Sequence, residues 1–191
     1  VGLWGGAGYT GGELLRLLSG HPGVELAAVA SRSHAGQPVT KPHPHLRSLE
    51  GMVFSPELDP AGLDAVFLAG GHGEAMSLLP GLVKAGKQLK IVDLSADFRL
   101  KDASLYPVWY GRDHAAPNLL PDFVYGFPEL DCEAVKGAAK VANPGCFATA
   151  AALALGPLAA AGIRGLARVT AVTGSSGSGA SPSSTTHHPA R

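Results

Sequence analysis

The chain has 191 residues, 46% hydrophobic and 16% charged, with a formal net charge of zero. That is enough apolar material for one full domain and part of a second, and the charge gives no electrostatic case for nucleic acid or an anionic membrane surface. There is no apolar run of membrane-spanning length and no signal-peptide pattern, and two cysteines make no disulfide framework, so a cytoplasmic protein is expected.

Val1-Gly2-Leu3-Trp4 reads as the end of a buried strand. It opens without a Met, and Arg191 closes the sequence just after a Gly/Ser-rich stretch, so the sequence is read as part of something longer. Residues 5–12 are a glycine turn, and from Glu13 the apolar positions fall on one helical face until Gly20-His21-Pro22-Gly23. Residues 24–30 form the second strand, which completes a βαβ unit. Gly5, Gly8 and Gly11 give the spacing G-x-x-G-x-x-G. Such glycines tighten the turn and let the backbone approach a pyrophosphate, which sits on the helix N-terminus. A glycine turn of this kind is often only a turn; the strand before it and the helix after it are what the nucleotide reading requires. At the end of the second strand, where an NAD site carries an acidic residue, stand Ser31 and Arg32. A hydroxyl and a guanidinium suit a 2′-phosphate, so NADP(H) is the expected cofactor. The alternative is that Arg32 is a solvated loop residue.

Residues 33–60 are rich in Pro, Gly and His, but His34, His43 and His45 lack carboxylate or cysteine partners nearby, so loop packing is expected and no metal. A strand at 64–69 leads to Gly71-His72-Gly73, and a helix follows at 74–85. Ligands of open parallel sheets bind beyond the carboxyl ends of strands, which places this turn against the cofactor through its backbone. His72 is not read as catalytic. A further strand at 88–94 ends in Asp93-Leu94-Ser95-Ala96-Asp97-Phe98-Arg99. Arg99 is a candidate for an anionic substrate group, or else a partner of Asp97 or Asp93. Residues 101–130 read as an irregular packed wall, and Cys132, in a helical pattern at 131–136, as a structural thiol.

A short strand at 139–142 then runs into Asn143-Pro144-Gly145-Cys146-Phe147-Ala148-Thr149 and a helix of small residues at 148–161. Asn143 suits an N-cap and Pro144 a first helical position. Cys146 then falls in the first turn, where unpaired N–H groups and the helix dipole favour a thiolate. It is either a nucleophile or a buried, inert cysteine. Residues 166–172 read as a strand, and the Gly/Ser run at 173–182, with Ser176 and Gly177, as a flexible linker or an anion-binding loop. Beside an activated cysteine and a dinucleotide site, the anion loop is preferred. The expected fold is α/β: a doubly wound, mostly parallel Rossmann-type sheet over 1–144, then the start of an α+β catalytic and dimerisation domain over 145–191.

Gly5 to Gly12, Ser31-Arg32, His43-Pro44-His45-Leu46, Val92 to Leu100, Tyr125 to Leu130 and Asn143 to Thr149 occur in an order that resembles the N-acetyl-gamma-glutamyl-phosphate reductases, NADPH-dependent enzymes of arginine biosynthesis. A more distant resemblance is to the aspartate-semialdehyde dehydrogenases. The resemblance implies that Gly5, Gly8, Tyr9, Thr10 and Gly11 hold the pyrophosphate and that Ser31 and Arg32 hold the 2′-phosphate. It implies that Gly71, His72, Gly73, Ser95 and Pro144 line the path to the nicotinamide, and that Cys146 is the nucleophile. Arg99, Asn143, Ser176 and Gly177 are the candidate substrate contacts. The implied reaction is reductive dephosphorylation of an acyl phosphate through a Cys146 thioester, in a homo-oligomer, dimer or tetramer, when full length. The sequence departs from the family pattern at Gly6-Ala7, at Gly71 and at His187-His188-Pro189. The last resembles the branch acting on carrier-linked aminoadipyl phosphates of the lysine pathway, so aminoadipyl or aspartyl phosphate is the alternative substrate. A non-catalytic NADP-binding module is the alternative of another class. The family's general acid/base histidine belongs to a stretch with no counterpart here, and His187 and His188 are not assigned to it.

Overall fold

The computed structural model describes residues 1–85 and 88–180. The chain divides into two compact units, Val1–Pro144 and Gly145–Arg191. The first holds six strands: β1 (Gly2–Trp4), β2 (Ala28–Ala30), β3 (Ala65–Leu68), β4 (Lys90–Asp93), β5 (Phe123–Tyr125) and β6 (Lys140–Ala142). All pair in parallel, in the order β2-β1-β3-β4-β6-β5. Helices α1 (Tyr9–Ser19), α2 (Glu74–Lys84), α3 (Leu105–Tyr110) and α4 (Pro128–Gly137) connect or flank them.

Side chains alternate across a strand, so each short apolar strand supplies two cores. Leu3 and Val29 pack with Leu15, Val39 and Phe54 on one face. Trp4, Ala30, Val66 and Leu68 pack with Met76, Leu79, Ile91 and Phe98 on the other. Helices thus cover both faces, as a doubly wound sheet requires, and the loops after β1, β2, β3, β4 and β6 gather at its carboxyl edge.

Several expectations for this unit need correction. Helix α1 begins at Tyr9, not Glu13, so Gly11 and Gly12 lie inside it, both buried. The second strand is three residues long. The stretch 101–130 is not irregular: it carries α3 and the edge strand β5. A run of three residues shows too little alternation to be read as a strand; pairing of Phe123 with Lys140 and stacking of Phe123 on Phe98, centroids 4.1 Å apart, define it. The Lys101 ammonium ties that region together by donating to the carbonyls of Leu120, Pro121 and Phe123. Cys132 is exposed on α4, so it is not a structural thiol.

In the second unit, α5 runs Cys146–Ala160 with Pro157 inside it. Residues 166–172 form no strand: among the described residues no segment offers them a ladder, and Leu166 and Val172 are 85% and 94% exposed. The Gly/Ser run holds a short 3-10 turn, Ser175–Ser178. Its last residues, with His187 and His188, lie outside the described residues. Among the described residues no helix is long and apolar enough to cross a membrane.

Candidate active site

The glycine turn after β1 is held from below. Gly5 and Gly6 both donate their N–H groups to the Ala30 carbonyl, at 3.0 and 3.1 Å. Gly5 has φ +80°, and a Cβ there would lie 2.6 Å from the Ala69 backbone. A Cβ on Gly11 would lie 2.3 Å from the Gly5 carbonyl oxygen. These two glycines are required by the fold itself. Gly8 is different: its φ is −78°, and a Cβ would meet only the Gly5 oxygen, at 3.7 Å. Neither backbone nor packing demands glycine there, and the open space in front of it suits close approach of a ligand. Gly8 caps α1 without any side-chain bond. The first bond of the helix is Gly12 N–H to the Gly8 carbonyl, so the N–H groups of Tyr9, Thr10 and Gly11 have no helical partners, which suits a pyrophosphate. The residues present fit a dinucleotide.

His43, expected only to pack a loop, supports this turn: its Nε2–H donates to the Gly6 carbonyl at 2.8 Å, and its ring fills the space beside Gly12. Ser31 is buried, with its N–H on the Ser55 carbonyl and its hydroxyl 3.3 Å from that of Ser33. Arg32 is exposed, its guanidinium over the Trp4 ring. A cavity of about 310 Å³ opens beside it, floored by Trp4 and Leu68 and walled by Ser77 and Leu78 of α2.

The turn after β3 is fastened to the loop after β4. Gly73, φ +96°, donates its N–H to both Asp97 carboxylate oxygens at 2.8 and 3.0 Å, and Met76 donates to Oδ2 at 3.0 Å. Asp97 thus caps α2 from a distance, a role the sequence reading missed because the partners lie more than twenty residues apart. His72 Nδ1 accepts the Ala96 N–H at 3.0 Å, and its carbonyl accepts from Arg112. Gly71 donates to Glu74 Oε1 at 3.2 Å. Tyr106 Oη–H and His114 Nε2–H both donate to the Asp97 carbonyl, at 2.6 and 2.7 Å. Burial pushes the Tyr106 phenol up to about 12.

Ser95 is buried, and its hydroxyl donates to Asp93 Oδ2 while accepting the Asp97 N–H. Asp93 is fully buried; desolvation raises its carboxyl to about 6, against the lowering effect of the Ser95 bonds. Arg99 pairs with neither Asp97 nor Asp93. Its Nε donates to the Asn143 carbonyl at 2.8 Å and Nη2 to the Leu94 carbonyl at 3.0 Å, so it joins the end of β4 to the end of β6. Asn143 donates its N–H to the Asp93 carbonyl at 2.7 Å and its Nδ2–H to the Pro144 carbonyl. It is therefore not the N-cap of α5, and Pro144, which is buried, is not its first residue. Gly145 is the cap, because β6 pairing extends through Asn143 and helical geometry starts only at Cys146.

In the second unit Cys146 is the first residue of α5, exposed and free. It is not the buried cysteine of the alternative reading. The N–H groups of Cys146, Phe147 and Ala148 have no helical partners, the first bond of the turn being Thr149 N–H to the Gly145 carbonyl at 2.9 Å. Cys146 lines an apolar groove of about 740 Å³ between α5 and residues 168–173. Ser176 and Gly177 are exposed in the 3-10 turn.

Taken on their own terms, a parallel sheet opened by an uncapped glycine turn and closed by a strand running into a cysteine-headed helix define a dinucleotide-binding α/β protein with a thiol at a helix start. Residues 1–138 match the family description "Semialdehyde dehydrogenase, NAD binding domain", and residues 146–191 match "Semialdehyde dehydrogenase, dimerisation domain". The chain belongs to the semialdehyde dehydrogenase family. It is 46% identical, over all of its length, to a LysW-L-2-aminoadipate/LysW-L-glutamate phosphate reductase of Sulfurisphaera tokodaii. It is 48% identical, over 99% of its length, to an N-acetyl-gamma-glutamyl-phosphate reductase of Methanocella arvoryzae. It spans 56% and 55% of those two proteins. An aspartate semialdehyde dehydrogenase from Vibrio cholerae, 20% identical, shares the fold with a TM-score of 0.57 over 84% of this chain and 46% of that one.

Proposed function

We propose that the protein is an NADPH-dependent acyl-phosphate reductase that converts an N-acyl-gamma-glutamyl phosphate to the semialdehyde with release of phosphate. The observation that carries this is Cys146, free and exposed as the first residue of a helix, in a chain that also presents an uncapped glycine turn. Gly5, Gly8, Tyr9, Thr10 and Gly11 would hold the pyrophosphate. Ser31 and Arg32 would receive the 2′-phosphate, which favours NADP over NAD, since no acidic side chain ends β2. Gly71, His72, Gly73, Ser95 and Pro144 would border the path to the nicotinamide. The Ser95 hydroxyl and the Gly73 N–H are spent on Asp93 and Asp97, so these two act as walls and not as donors.

In the reaction the Cys146 sulfur attacks the acyl carbon, the carbon–oxygen bond to phosphate breaks, and a thioester forms. The N–H groups at the start of α5 would stabilise the oxyanion. When bound at the glycine turn, the cofactor would supply the hydride that reduces this thioester. The resulting thiohemiacetal then releases the aldehyde and frees Cys146. Ser176 and Gly177 are suited to receive the leaving phosphate, and Arg99 and Asn143 to shape the substrate end. Arg99 retains N–H donors beyond the two bound to carbonyls. The dimerisation-domain match favours a homo-oligomer, and a reducing cytoplasm suits a free catalytic thiol.

A second substrate reading is favoured by the Sulfurisphaera relative, whose name includes a carrier-linked aminoadipate: the same chemistry on an aminoadipyl phosphate. The test uses the full-length enzyme and follows NADPH oxidation with N-acetyl-glutamyl phosphate and with the carrier-linked aminoadipyl phosphate. Cys146→Ser is expected to lower turnover by about a thousandfold or more on the preferred substrate. Near-normal turnover of the variant removes the nucleophile. Cofactor binding by the wild type without iodoacetamide labelling of Cys146 favours the non-catalytic module.

A further inference from the structure

Trp4 ends β1 and is 3% exposed at the carboxyl edge of the sheet. Its indole N–H donates to Glu74 Oε2 at 2.7 Å. The other oxygen of that carboxylate accepts the Gly71 N–H. Across the ring, Arg32 Cζ stands 4.7 Å from the centroid. The sheet order sets β1 between β2 and β3, so the indole lies between the loop that carries Arg32 and the turn that carries Gly71.

Trp4 also belongs to the core cluster with Leu68 and Leu82, but packing alone calls for bulk and not for an indole. A leucine would pack against Leu68 and Leu82, but it would offer no π face to a guanidinium and no N–H to Glu74. We infer that Trp4 is a positioning residue for cofactor selection: it holds the Arg32 guanidinium in register to fork a nucleoside 2′-phosphate. This rests on the NADP reading above. With Cζ over the ring, the cation–π contact uses none of the guanidinium's hydrogen-bonding capacity toward an acceptor oxygen, and it is its N–H groups that bind phosphate. Among the described residues the Arg32 guanidinium makes no hydrogen bond or ion pair, so the ring is what holds it. An arginine ordered before binding loses less side-chain freedom when the phosphate arrives. The Glu74 bond fixes the ring plane, and through Gly71 it joins both cofactor-facing loops to one indole.

The test measures binding of 2′,5′-ADP and of 5′-AMP to the full-length enzyme by calorimetry, for wild type, Trp4→Leu, Trp4→Phe and Arg32→Ala. Trp4→Leu is expected to weaken 2′,5′-ADP about fivefold and leave 5′-AMP unchanged. Trp4→Phe keeps a ring face and is expected to lose less. Equal loss on both probes, or none on either, overturns the proposal, because a ring that merely shapes the cavity does not discriminate the 2′-phosphate. Arg32→Ala separates the two claims. If it weakens 2′,5′-ADP while Trp4→Leu does not, the Trp4 role falls and the NADP reading stands. If it changes nothing, the NADP reading falls and takes the Trp4 role with it. Should Trp4→Leu fail to fold, Glu74→Ala frees the indole without opening the core; a reduced 2′,5′-ADP to 5′-AMP affinity ratio supports the proposal, and an unchanged ratio overturns it.

Discussion

The turn after β1 and the turn that begins α5 are both helix starts, and they are built in opposite ways. The glycine turn is fixed by the protein around it: Ala30 takes two of its N–H groups, His43 supports Gly6, and Gly11 touches the Gly5 carbonyl. The cysteine turn has an exposed thiol at the head of a helix none of whose residues is buried among those described. A binding surface gains affinity from being rigid before the ligand arrives. A nucleophile needs access, which burial would deny it. The difference matches the two roles proposed above, a rigid dinucleotide site in the first unit and an accessible thiol at Cys146.

The largest test of that contrast is Gly11→Ala. The added Cβ would meet the Gly5 oxygen at 2.3 Å and Gly6 backbone atoms at 2.7 and 2.8 Å. No flexible side chain is there to move aside, so the turn itself must shift. A loss of about 3 kcal/mol or more is expected in denaturant melts of the full-length chain. A loss below about 1 kcal/mol, the range of an ordinary surface change, would show that the turn is not rigid and would erase the contrast.

Next in size is a pH effect from Asp93, beneath the ends of β4 and β6. Its folded carboxyl, near 6, lies above the ordinary value of 3.8. Between those values the folded state binds the extra proton, so this group makes stability fall as pH rises from about 4 to 6. Above that window the buried charge costs at most about 3 kcal/mol, and below it nothing. Asp93→Asn should therefore raise the melting temperature at pH 7.5 and leave it unchanged at pH 3.5. An equal shift at both pH values would mean that the carboxylate's charge is not what burial penalises.

Much of this was legible because it is local. The strand–glycine–helix–strand run and β6 running into the helix headed by Cys146 are both contiguous signals. The helix start was placed two residues early because Asn143 and Pro144 suit a cap by type, while the Asp93 carbonyl and Arg99 hold Asn143 in the sheet instead. Long-range bonds explain the other misses. Asp97 reaches back to Gly73, His114 to Asp97, and Glu74 to Trp4 seventy residues away. None of these pairs has a spacing rule. The one available signal was composition: an indole at the end of a strand of small and aliphatic residues, directly before the first glycine.

The smallest effect on stability is also the most discriminating. Gly8 is the cap of α1, has φ −78° and ψ 171°, and has room for a side chain. Serine adopts that conformation without strain. Its hydroxyl would accept from the N–H groups of the first turn, and it would restrict the unfolded chain, so Gly8→Ser should stabilise by about 0.5–1 kcal/mol. The same hydroxyl would occupy the space and the N–H groups proposed for the pyrophosphate, so NADPH affinity should fall about tenfold or more. A protein that gains stability and loses its cofactor shows that glycine is kept at this position for binding and not for folding. If the variant melts higher and binds NADPH as before, the ligand does not approach Gly8, and this glycine would need another explanation.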